Sequence, residues 1–432
     1  MVRIVTGFRS LARNHDFQVL WVAQTISTLG SRVSMFVFPL LGYALTGSAL
    51  VAAALEAAHL LGVAGALLPG GVLADRVDRR RVMRTASGTG ALLYASLAVA
   101  GLAGSLTVPH LLVVALLTGV CAGAFAPAET SAVRTVVPRE DLPAALSQNQ
   151  AREHVASLVG APLGGVLFAV ARWLPFLADA VTYALSWLLI GRLRTDLSPA
   201  ARPAGAPRRR VRADLAEGAR FVLRHPLFRT LLAWSALTNL VVNAVFFVAV
   251  LRLIEDGVDP LHLGLVETAA GAAGILGAVV APWLIERLPT GWLTITVAWS
   301  FLPLLVPMAL WSTPLVVAAA LGLVLLFNPA GNAGIGAYRL TVTPPELVGR
   351  AQSFSQFVSM AAMPLAPLLA GGALAWFGGE RAVLALGLVV AATALIPTCS
   401  RTVRSVPRPR VWRDAPPLGE PAPAERVVAV PA

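Results

Sequence analysis

Long apolar stretches recur along almost the whole chain, and each is long enough to cross a lipid bilayer as a helix. A bilayer core about 30 Å thick needs roughly 20 apolar residues per helix. We predict spans at residues 17–44, 49–73, 86–105, 109–131, 148–170, 173–191, 230–252, 262–285, 291–311, 315–337, 352–376 and 381–399. The chain is therefore predicted to be an all-α integral membrane protein with about twelve transmembrane helices.

The composition excludes a protein whose whole surface faces water. Of the 432 residues, 57% are hydrophobic and 13% are charged, whereas soluble domains carry about 25% charged residues. The two cysteines, Cys121 and Cys399, have no paired spacing. We therefore expect the lipid bilayer as the main surrounding medium, and neither a disulfide framework nor a metal site nor a cofactor.

Positive charge is distributed unevenly over the predicted loops. The formal net charge is +12, and the chain contains arginine but no lysine. If the first span runs outward, every arginine except Arg32, Arg172, Arg252 and Arg381 falls on the side of the N-terminus. This positive-inside pattern predicts a multi-pass protein of the cell membrane, the inner or plasma membrane, with both termini in the cytoplasm. Nucleic-acid binding is not expected, because it needs arginines clustered on a folded soluble domain.

One connection differs from the short loops. Residues 192–229 contain ten arginines and several prolines, a composition that cannot form a packed core. We predict a cytoplasmic basic linker there, between an N-terminal six-helix half at 1–191 and a C-terminal six-helix half at 230–399. Residues 400–432 are predicted to be a disordered cytoplasmic tail.

Weak internal repetition indicates that the two six-helix bundles are pseudo-symmetric. Glu56 and Asp75 recur as Glu267 and Glu286 at one common offset. Transporters built from repeats place their site between the repeats, near the bilayer midplane. Because such a fold encloses its own site, we expect a monomer.

A charged motif follows the second span. It reads Gly71-Val-Leu73-Ala74-Asp75-Arg76-Val-Asp78-Arg79-Arg80-Arg81. Gly70 and Gly71 would let the helix approach a neighbour closely. Asp75 could face a helix N-terminus or pair with arginines in one conformation. We predict a gate between conformations formed by Gly71, Asp75, Arg76, Asp78, Arg79 and Arg80; alternatively, the arginines only hold the loop in the cytoplasm.

This motif resembles the signature of the major facilitator superfamily, although Asp78 replaces the family's second glycine. Other stretches resemble the branch of enterobactin exporters, macrolide efflux pumps and drug:proton antiporters. These stretches are Phe17-Gln-Val-Leu-Trp21, Leu45-Thr-Gly47-Ser48, Phe125-Ala-Pro127-Ala128 and Gly160-Ala-Pro162-Leu-Gly164-Gly165. The resemblance implies an alternating-access transporter without covalent chemistry. One departure is that Ser31 and Arg32 stand where many relatives have an acidic residue.

Ionisable side chains within the spans are candidates for proton coupling. A charge at the bilayer centre costs at least about 2.5–3.5 kcal/mol, so each needs a partner or a function. Arg32 lies in the first span, Glu56 and His59 lie one turn apart in the second, and Glu267 occupies the matching place in the eighth. We expect Arg32 to be a fixed counter-charge and Glu56 or Glu267 to carry a proton. The alternative is a static Arg32–Glu56 pair that only joins two helices.

Amide side chains are candidates for the substrate cavity. Asn239 and Asn243 lie four residues apart in the seventh span, and Asn328 and Asn332 do so in the tenth, so each pair shares a helix face. Gln24 of the first span is a further candidate. These amides could bind substrate or bond a neighbouring helix, and both possibilities stay open.

The combined prediction is a proton-coupled secondary transporter, not an enzyme. It would export a small amphipathic molecule such as a drug, siderophore or secondary metabolite, with protons as the second partner. Because the chain contains no lysine, it has no Walker A site for ATP. Two alternatives stay open, a permease for nutrient uptake or facilitated diffusion and a transport-inactive membrane scaffold.

Overall fold

The structure, a computed structural model, describes residues 10–138, 141–198, 211–344 and 347–412. Those residues form helices and connecting turns, without a strand. Twelve helical segments among them are long and apolar enough to cross a membrane. The predicted all-α membrane fold with twelve transmembrane helices is therefore confirmed.

The helices follow one another in two groups of six spans. In chain order they are α1 (His15–Thr46), α2 (Ala49–Arg76), α3 (Arg79–Leu102), α4 (Val108–Val136), α5 (Leu142–Val170), α6 (Leu174–Gly191), α7 (Val211–Arg224), α8 (Pro226–Glu255), α9 (Pro260–Arg287), α10 (Thr290–Ser300), α11 (Leu302–Leu310), α12 (Pro314–Val342), α13 (Val348–Ala361), α14 (Leu365–Phe377), α15 (Gly379–Cys399), α16 (Arg401–Arg404) and α17 (Pro409–Trp412). Helices α10 and α11 form the ninth span, and α13 and α14 form the eleventh.

Local sequence explains where several helices begin and end. The Ser48 side chain accepts a hydrogen bond from the backbone N–H of Val51 and caps α2. Gly47 ends α1 with a φ of 65°, a conformation that glycine adopts without strain. Pro303 and Pro364 stand at the breaks in the ninth and eleventh spans, because proline lacks the helical N–H and clashes with the preceding turn.

Close helix packing builds each bundle. In the first bundle α2 packs along α4 and α3 along α6, while in the second α9 packs along α12 and α8 along α15. Small residues allow this approach: a Cβ atom on Gly119 of α4 would lie 2.1 Å from the carbonyl oxygen of His59 in α2. The bundles meet where α5 packs against α9 and where α2 packs against α14.

The two bundles make close contacts at one end of the molecule. There a Cβ atom on Gly264 of α9 would lie 2.7 Å from the carbonyl oxygen of Ala161 in α5. The Thr268 hydroxyl donates a hydrogen bond to the carbonyl oxygen of Leu158 at 2.7 Å. We call these α5–α9 contacts, with the α2–α14 contacts, the seam. The other end, where α1 begins and α7 lies, is the linker end.

The linker is attached to a different bundle at each of its ends. At its start, Asp16 of α1 accepts a hydrogen bond from the backbone N–H of Thr195 at 2.7 Å. At its finish, Glu217 of α7 pairs with Arg350 of α13 at 2.6 Å. The middle of the predicted basic linker, residues 199–210, lies outside the described residues.

The tail begins as ordered structure on the second bundle. The Trp412 Nε1 atom donates a hydrogen bond to the Thr290 hydroxyl at 3.1 Å, and the Trp412 ring lies edge-on to Tyr338. The disorder predicted from residue 400 is therefore wrong for residues 400–412, because apolar side chains there fill an apolar site. Residues 413–432 lie outside the described residues.

Candidate functional site

Two cavities meet at Arg32. The first, here the N-bundle cavity, has a volume of about 320 Å³. The second, the interface cavity, lies between the bundles and has a volume of about 190 Å³. Arg32 and Met35 of α1 line both. The polar and charged lining of the N-bundle cavity comprises Gln24, Ser27, Thr28, Ser31, Arg32, His59, Ser87, Glu129, Glu153 and Tyr183.

A chain of alternating charges runs along the N-bundle cavity. Arg32 Nη2 lies 3.3 Å from Glu153 Oε2, and Glu153 Oε1 lies 3.3 Å from Arg152 Nη2. Arg152 Nη1 in turn lies 3.1 Å from Glu129 Oε1. The four side chains come from α1, α5 and α4, so the chain joins three helices. Each ion pair offsets part of the cost of taking its charges out of water.

The interface cavity brings together two carboxylates from different bundles. Glu56 comes from α2 and Glu267 from α9, and both face the cavity beside Arg32. Its apolar lining comprises Met35, Phe36, Pro39, Leu40, Ala161, Phe246, Phe247, Val250, Leu251 and Ile254. Arg32, Glu56 and Glu267, which the sequence analysis grouped as candidates for proton coupling, therefore line one cavity in the fold.

The ion pair of Arg32 differs from the one considered from the sequence. Its guanidinium pairs with Glu153 at 3.3 Å, so the static Arg32–Glu56 pair is not the arrangement in the structure. The reason is that α5 packs on α1 and presents Glu153 from the first bundle itself. Arg32 nevertheless lies beside Glu56, because Arg32 lines both the N-bundle cavity and the interface cavity.

His59 and Glu56 point into different spaces. His59 is buried and lines the N-bundle cavity, whereas Glu56 lines the interface cavity. The His59 Nδ1 atom lies 3.4 Å from the Thr118 hydroxyl of α4. His59 therefore joins α2 to α4 by a hydrogen bond and does not form a titratable pair with Glu56.

The predicted amides distribute over several cavities. Gln24 lines the N-bundle cavity. Asn239, Asn243 and Asn328 line a cavity of about 260 Å³ inside the second bundle, here the C-bundle cavity. Each i, i+4 pair is joined internally: Asn243 donates to the carbonyl oxygen of Asn239 at 2.7 Å, and Asn332 donates to Asn328 Oδ1 at 2.6 Å.

The charged motif after α2 makes contacts within the first bundle and the linker start. Asp78 caps α3 by accepting a hydrogen bond from the backbone N–H of Arg80 at 3.0 Å. Arg80 Nη2 donates to the carbonyl oxygen of Thr195 at 2.7 Å, and Arg79 Nη1 donates to the Thr135 hydroxyl at 3.4 Å. The Asp75 side chain lies outside the described part of the structure, and Arg76 is exposed.

The two motif glycines behave differently. A Cβ atom on Gly70 would lie 2.7 Å from the Cα atom of Ala124 in α4, whereas one on Gly71 would meet open space. Close packing of α2 on α4 thus depends on Gly70. The packing role expected for Gly71 is wrong, because its face of the helix points away from α4.

Three charged residues of the site were missed in the sequence. Glu129 follows the Phe125-Ala-Pro127-Ala128 stretch directly, and Arg152-Glu153 is an adjacent charge pair inside the fifth predicted span. Counting Arg152 among the arginines on the side of the N-terminus concealed its position within a span. The sequence does contain an indication of their role. A charge within a span needs a partner, and these three residues carry opposite charges on neighbouring spans, so they could have been predicted to pair.

The chain is similar to known transporters over most of its length. The family model of the Major Facilitator Superfamily matches residues 20–290. The multidrug efflux pump Tap of Mycolicibacterium fortuitum is 30% identical over 393 residues, which cover 86% of this chain and 91% of that protein. The enterobactin exporter EntS of Citrobacter koseri is 27% identical over 343 residues, or 76% of this chain and 79% of that protein.

Solved structures share the fold. A bacterial homologue of the iron transporter ferroportin in an inward-facing state has a TM-score of 0.68 at 16% identity and covers 90% of this chain and 98% of that one. The nucleoside transporter NupG has a TM-score of 0.65 at 12% identity and covers 90% and 99%. The family match and the 30%-identical efflux pump make the protein a multi-pass transport protein rather than an enzyme. The chain belongs to the major facilitator superfamily.

Proposed function

We propose that the protein is a proton-coupled secondary transporter that exports a small amphipathic molecule, such as a drug, siderophore or secondary metabolite. The observation that carries the proposal is the pair of carboxylates, Glu56 and Glu267, facing one cavity from opposite bundles with Arg32 beside them. Similarity to a multidrug efflux pump and to enterobactin exporters supports export as the direction.

Charge repulsion couples protonation to conformation in this arrangement. Two ionised carboxylates that face the same small cavity repel each other. Separation of the bundles at the seam relieves that repulsion, because Glu56 and Glu267 belong to different bundles. A proton on either residue removes one charge and thereby stabilises the closed seam. Proton binding and release therefore shift the population between the two conformations.

Arg32 supplies a second way to neutralise these carboxylates. Its guanidinium pairs with Glu153 at 3.3 Å and also lines the interface cavity. After a proton leaves, Arg32 turns from Glu153 toward Glu56 or Glu267. Glu153 keeps Arg152 as a partner at 3.3 Å, so the exchange does not leave Glu153 without a counter-charge. Arg32 was predicted to be a fixed counter-charge, whereas in this mechanism it changes its partner during the cycle.

We infer that both termini and the linker face the cytoplasm, because the arginine-rich segments share that side. The seam then closes the outer side, and the linker end opens to the cytoplasm. The motif with Gly71, Asp75 and Arg76 acts as the gate at this end. Arg79 and Arg80 connect it to α4 and to the linker start.

The proton gradient is a sufficient energy source for this cycle. Each proton that enters across 100 mV supplies about 2.3 kcal/mol. That free energy maintains a roughly fiftyfold concentration ratio of an uncharged molecule, since each 1.4 kcal/mol is a factor of ten.

The test is accumulation of fluorescent lipophilic dyes and antibiotics in inverted membrane vesicles with an acidic lumen. Wild type is compared with Glu56→Gln, Glu267→Gln and the control Glu255→Gln, which changes an exposed carboxylate outside both cavities. We expect gradient-driven accumulation in wild type and the control, and its loss in at least one cavity variant. Undiminished transport in both cavity variants would refute this coupling site.

The same vesicles discriminate the alternatives. Proton-driven movement of a compound in the direction of the protons would assign uptake, and movement without a gradient would assign facilitated diffusion. A scaffold would transport none of the compounds in either direction.

A further inference from the structure

A large polar cavity lies in the second bundle, apart from the interface and N-bundle cavities. Its volume is about 630 Å³, and α8, α12 and α13 line it toward the linker end. We call it the linker-end cavity. Its polar and charged lining comprises Ser235, Asn332, Arg339, Thr343, Gln352, Ser355, Gln356 and Ser359.

Arg339 of α12 is held inside this cavity. Its Nη2 atom donates a hydrogen bond to the Ser355 hydroxyl of α13 at 2.9 Å. Its guanidinium carbon lies 5.7 Å from the centre of the Phe228 ring of α8. An arginine that serves topology alone extends its head to water. Arg339 instead contacts both neighbouring helices that enclose the cavity.

Within the described residues, the linker-end cavity carries the positive charge of Arg339 and no acidic side chain in its lining. In the N-bundle cavity, Arg32 and Arg152 pair with carboxylates. By contrast, no acidic side chain of the described residues lines the linker-end cavity or pairs with Arg339. A charge on a membrane-spanning helix requires a partner or a function. The planar guanidinium matches a carboxylate or phosphate by paired hydrogen bonds.

Amide groups surround Arg339 with further donors. Gln352, Ser355, Gln356 and Ser359 follow one another at helical spacing on one face of α13. Side-chain amides and hydroxyls donate hydrogen bonds to anionic oxygens without adding a competing negative charge. The cavity can therefore hold an anionic group directly at Arg339.

A series of neighbouring cavities lies between this cavity and the carboxylates of the interface cavity. Asn332 lines the linker-end cavity and donates to Asn328 at 2.6 Å. Asn328 lines the C-bundle cavity, where Phe246 is also part of the lining. Phe246 in turn lines the interface cavity with Glu267. A molecule bound at Arg339 thus lies at the start of a route to the coupling site.

We propose that the linker-end cavity is a binding site for an anionic group, a carboxylate or a phosphate, and that Arg339 is its charge-recognising residue. The inference rests on the proposed export function, because it specifies that the exported amphipathic molecule carries such a group. A lipid headgroup offers the same chemistry, so the test includes a lipid arm.

The test uses the purified full-length protein in a nonionic detergent with two fluorescent probes. Dansyl-glycine carries a carboxylate, and dansyl-glycinamide has the same shape without the charge. We expect wild type to bind the carboxylate about tenfold more tightly than the amide, a typical effect of one charged hydrogen-bonded contact. Arg339→Gln should abolish that preference, and Arg339→Lys should retain part of it.

Arg287→Gln is the matched control. Arg287 belongs to the same bundle and also lies over an aromatic ring, 4.3 Å from the centre of Trp283, but it does not line the cavity. The control should keep the wild-type preference. If Arg339→Gln is poorly folded in a thermal unfolding assay, Gln352→Ala is used and should reduce the preference. An equal affinity of wild type for both probes, or an equal loss in Arg287→Gln, overturns the proposal.

Two further measurements distinguish a lipid from a soluble ligand, and the anion site from the proposed export function. Competition by phosphatidylglycerol in mixed micelles, with none by acetate, assigns the site to a lipid phosphate; competition by acetate assigns it to a soluble carboxylate. Gradient-driven dye transport in vesicles reports the proposed function independently. Transport without carboxylate preference overturns the anion site alone, whereas preference without transport supports the site and overturns coupled export.

Discussion

Arg32 of α1 is joined to Glu153 of α5 at 3.3 Å, and the same guanidinium lines the cavity that holds Glu56 and Glu267. One positive charge therefore stands between a carboxylate of its own bundle and a carboxylate of each bundle at the interface. On the proposed mechanism, Arg32 is the residue through which the charge state of the interface cavity would reach the rest of the first bundle.

Removal of the Arg32 partner should impair transport more than folding. In Glu153→Gln, Arg32 loses the carboxylate that competes with Glu56 and Glu267, so it stays in the interface cavity even when a proton binds there again. We expect proton-driven transport to fall about tenfold or more, which corresponds to roughly 1.4 kcal/mol on the limiting barrier. Dye accumulation in vesicles measures it, with Glu255→Gln as control. Wild-type rates in Glu153→Gln would show that Arg32 exchanges no partner.

Arg152 should be a determinant of stability. Its side chain is 4% exposed and pairs with Glu129, which is 16% exposed. Arg152→Gln leaves that mostly buried carboxylate without its counter-charge, a change that costs up to about 3–5 kcal/mol. We expect a clearly lowered midpoint of thermal unfolding in detergent, and partial recovery in the double variant Arg152→Gln/Glu129→Gln.

Arg81→Gln is the control for this stability measurement. The Arg81 side chain is 82% exposed and lies 3.9 Å from Asp78, and an exposed pair of this kind contributes about 0–1 kcal/mol. The unfolding midpoint of Arg81→Gln should stay near that of wild type. Equal midpoints for Arg152→Gln and Arg81→Gln would contradict the stabilising role of the buried charge chain.

The spans were predictable from the sequence because lipid imposes a minimum apolar length on every helix. The fifth span shows the limit of that rule: predicted at 148–170, it begins at Leu142 in the structure. Its first turns carry Arg152 and Glu153, whose charges are offset by partners on α1 and α4. Hydropathy along one helix does not record such partners.

The members of the site were partly predictable, whereas their pairing was not. Glu56, Glu267 and Arg32 stand out as charges within apolar runs. Which helix face meets which neighbour depends on packing between helices distant in sequence. Arg32 therefore pairs with Glu153, and His59 bonds Thr118 instead of acting with Glu56.

A large side chain in place of Gly371 should open the seam, whereas one in place of the neighbouring Gly372 should not. A Cβ atom on Gly371 of α14 would lie 2.7 Å from the Cβ atom of Ala53, whereas one on Gly372 would meet open space. Gly371→Leu should hold the seam apart and favour the conformation in which the linker end is closed. Gly372→Leu should leave the population unchanged.

Alkylation of Cys121 reports this shift, because Cys121 lines the N-bundle cavity. The exposed Cys399 is first replaced by serine. We expect N-ethylmaleimide to label Cys121 about tenfold more slowly in Gly371→Leu, which corresponds to a population shift of roughly 1.4 kcal/mol. If both leucine variants label at the wild-type rate, the seam does not control access to the cavity.

The ordered start of the tail should stabilise the second bundle. Trp412 is 6% exposed and donates a hydrogen bond to Thr290 at 3.1 Å. Trp412→Ala should lower the free energy of unfolding by up to about 3–5 kcal/mol, as for other buried aromatic side chains. The neighbouring Val411 is 67% exposed, so Val411→Ala should have little effect. Thermal unfolding in detergent compares the two, and equal midpoints would mean that the tail does not dock in solution.

The central claim, that Glu56 and Glu267 couple protonation to conformation, is tested most directly by a distance across the linker end at two pH values. Spin labels at Arg81→Cys and Leu288→Cys, in a background without Cys121 and Cys399, report the separation of the bundles by pulsed electron paramagnetic resonance. In alkaline buffer both carboxylates are ionised and repel, the seam opens and the linker end closes, so the distance should shorten relative to acidic buffer. The shift should vanish in Glu56→Gln/Glu267→Gln. A distance in wild type that does not change with pH, or a shift that persists in the double variant, would contradict the claim.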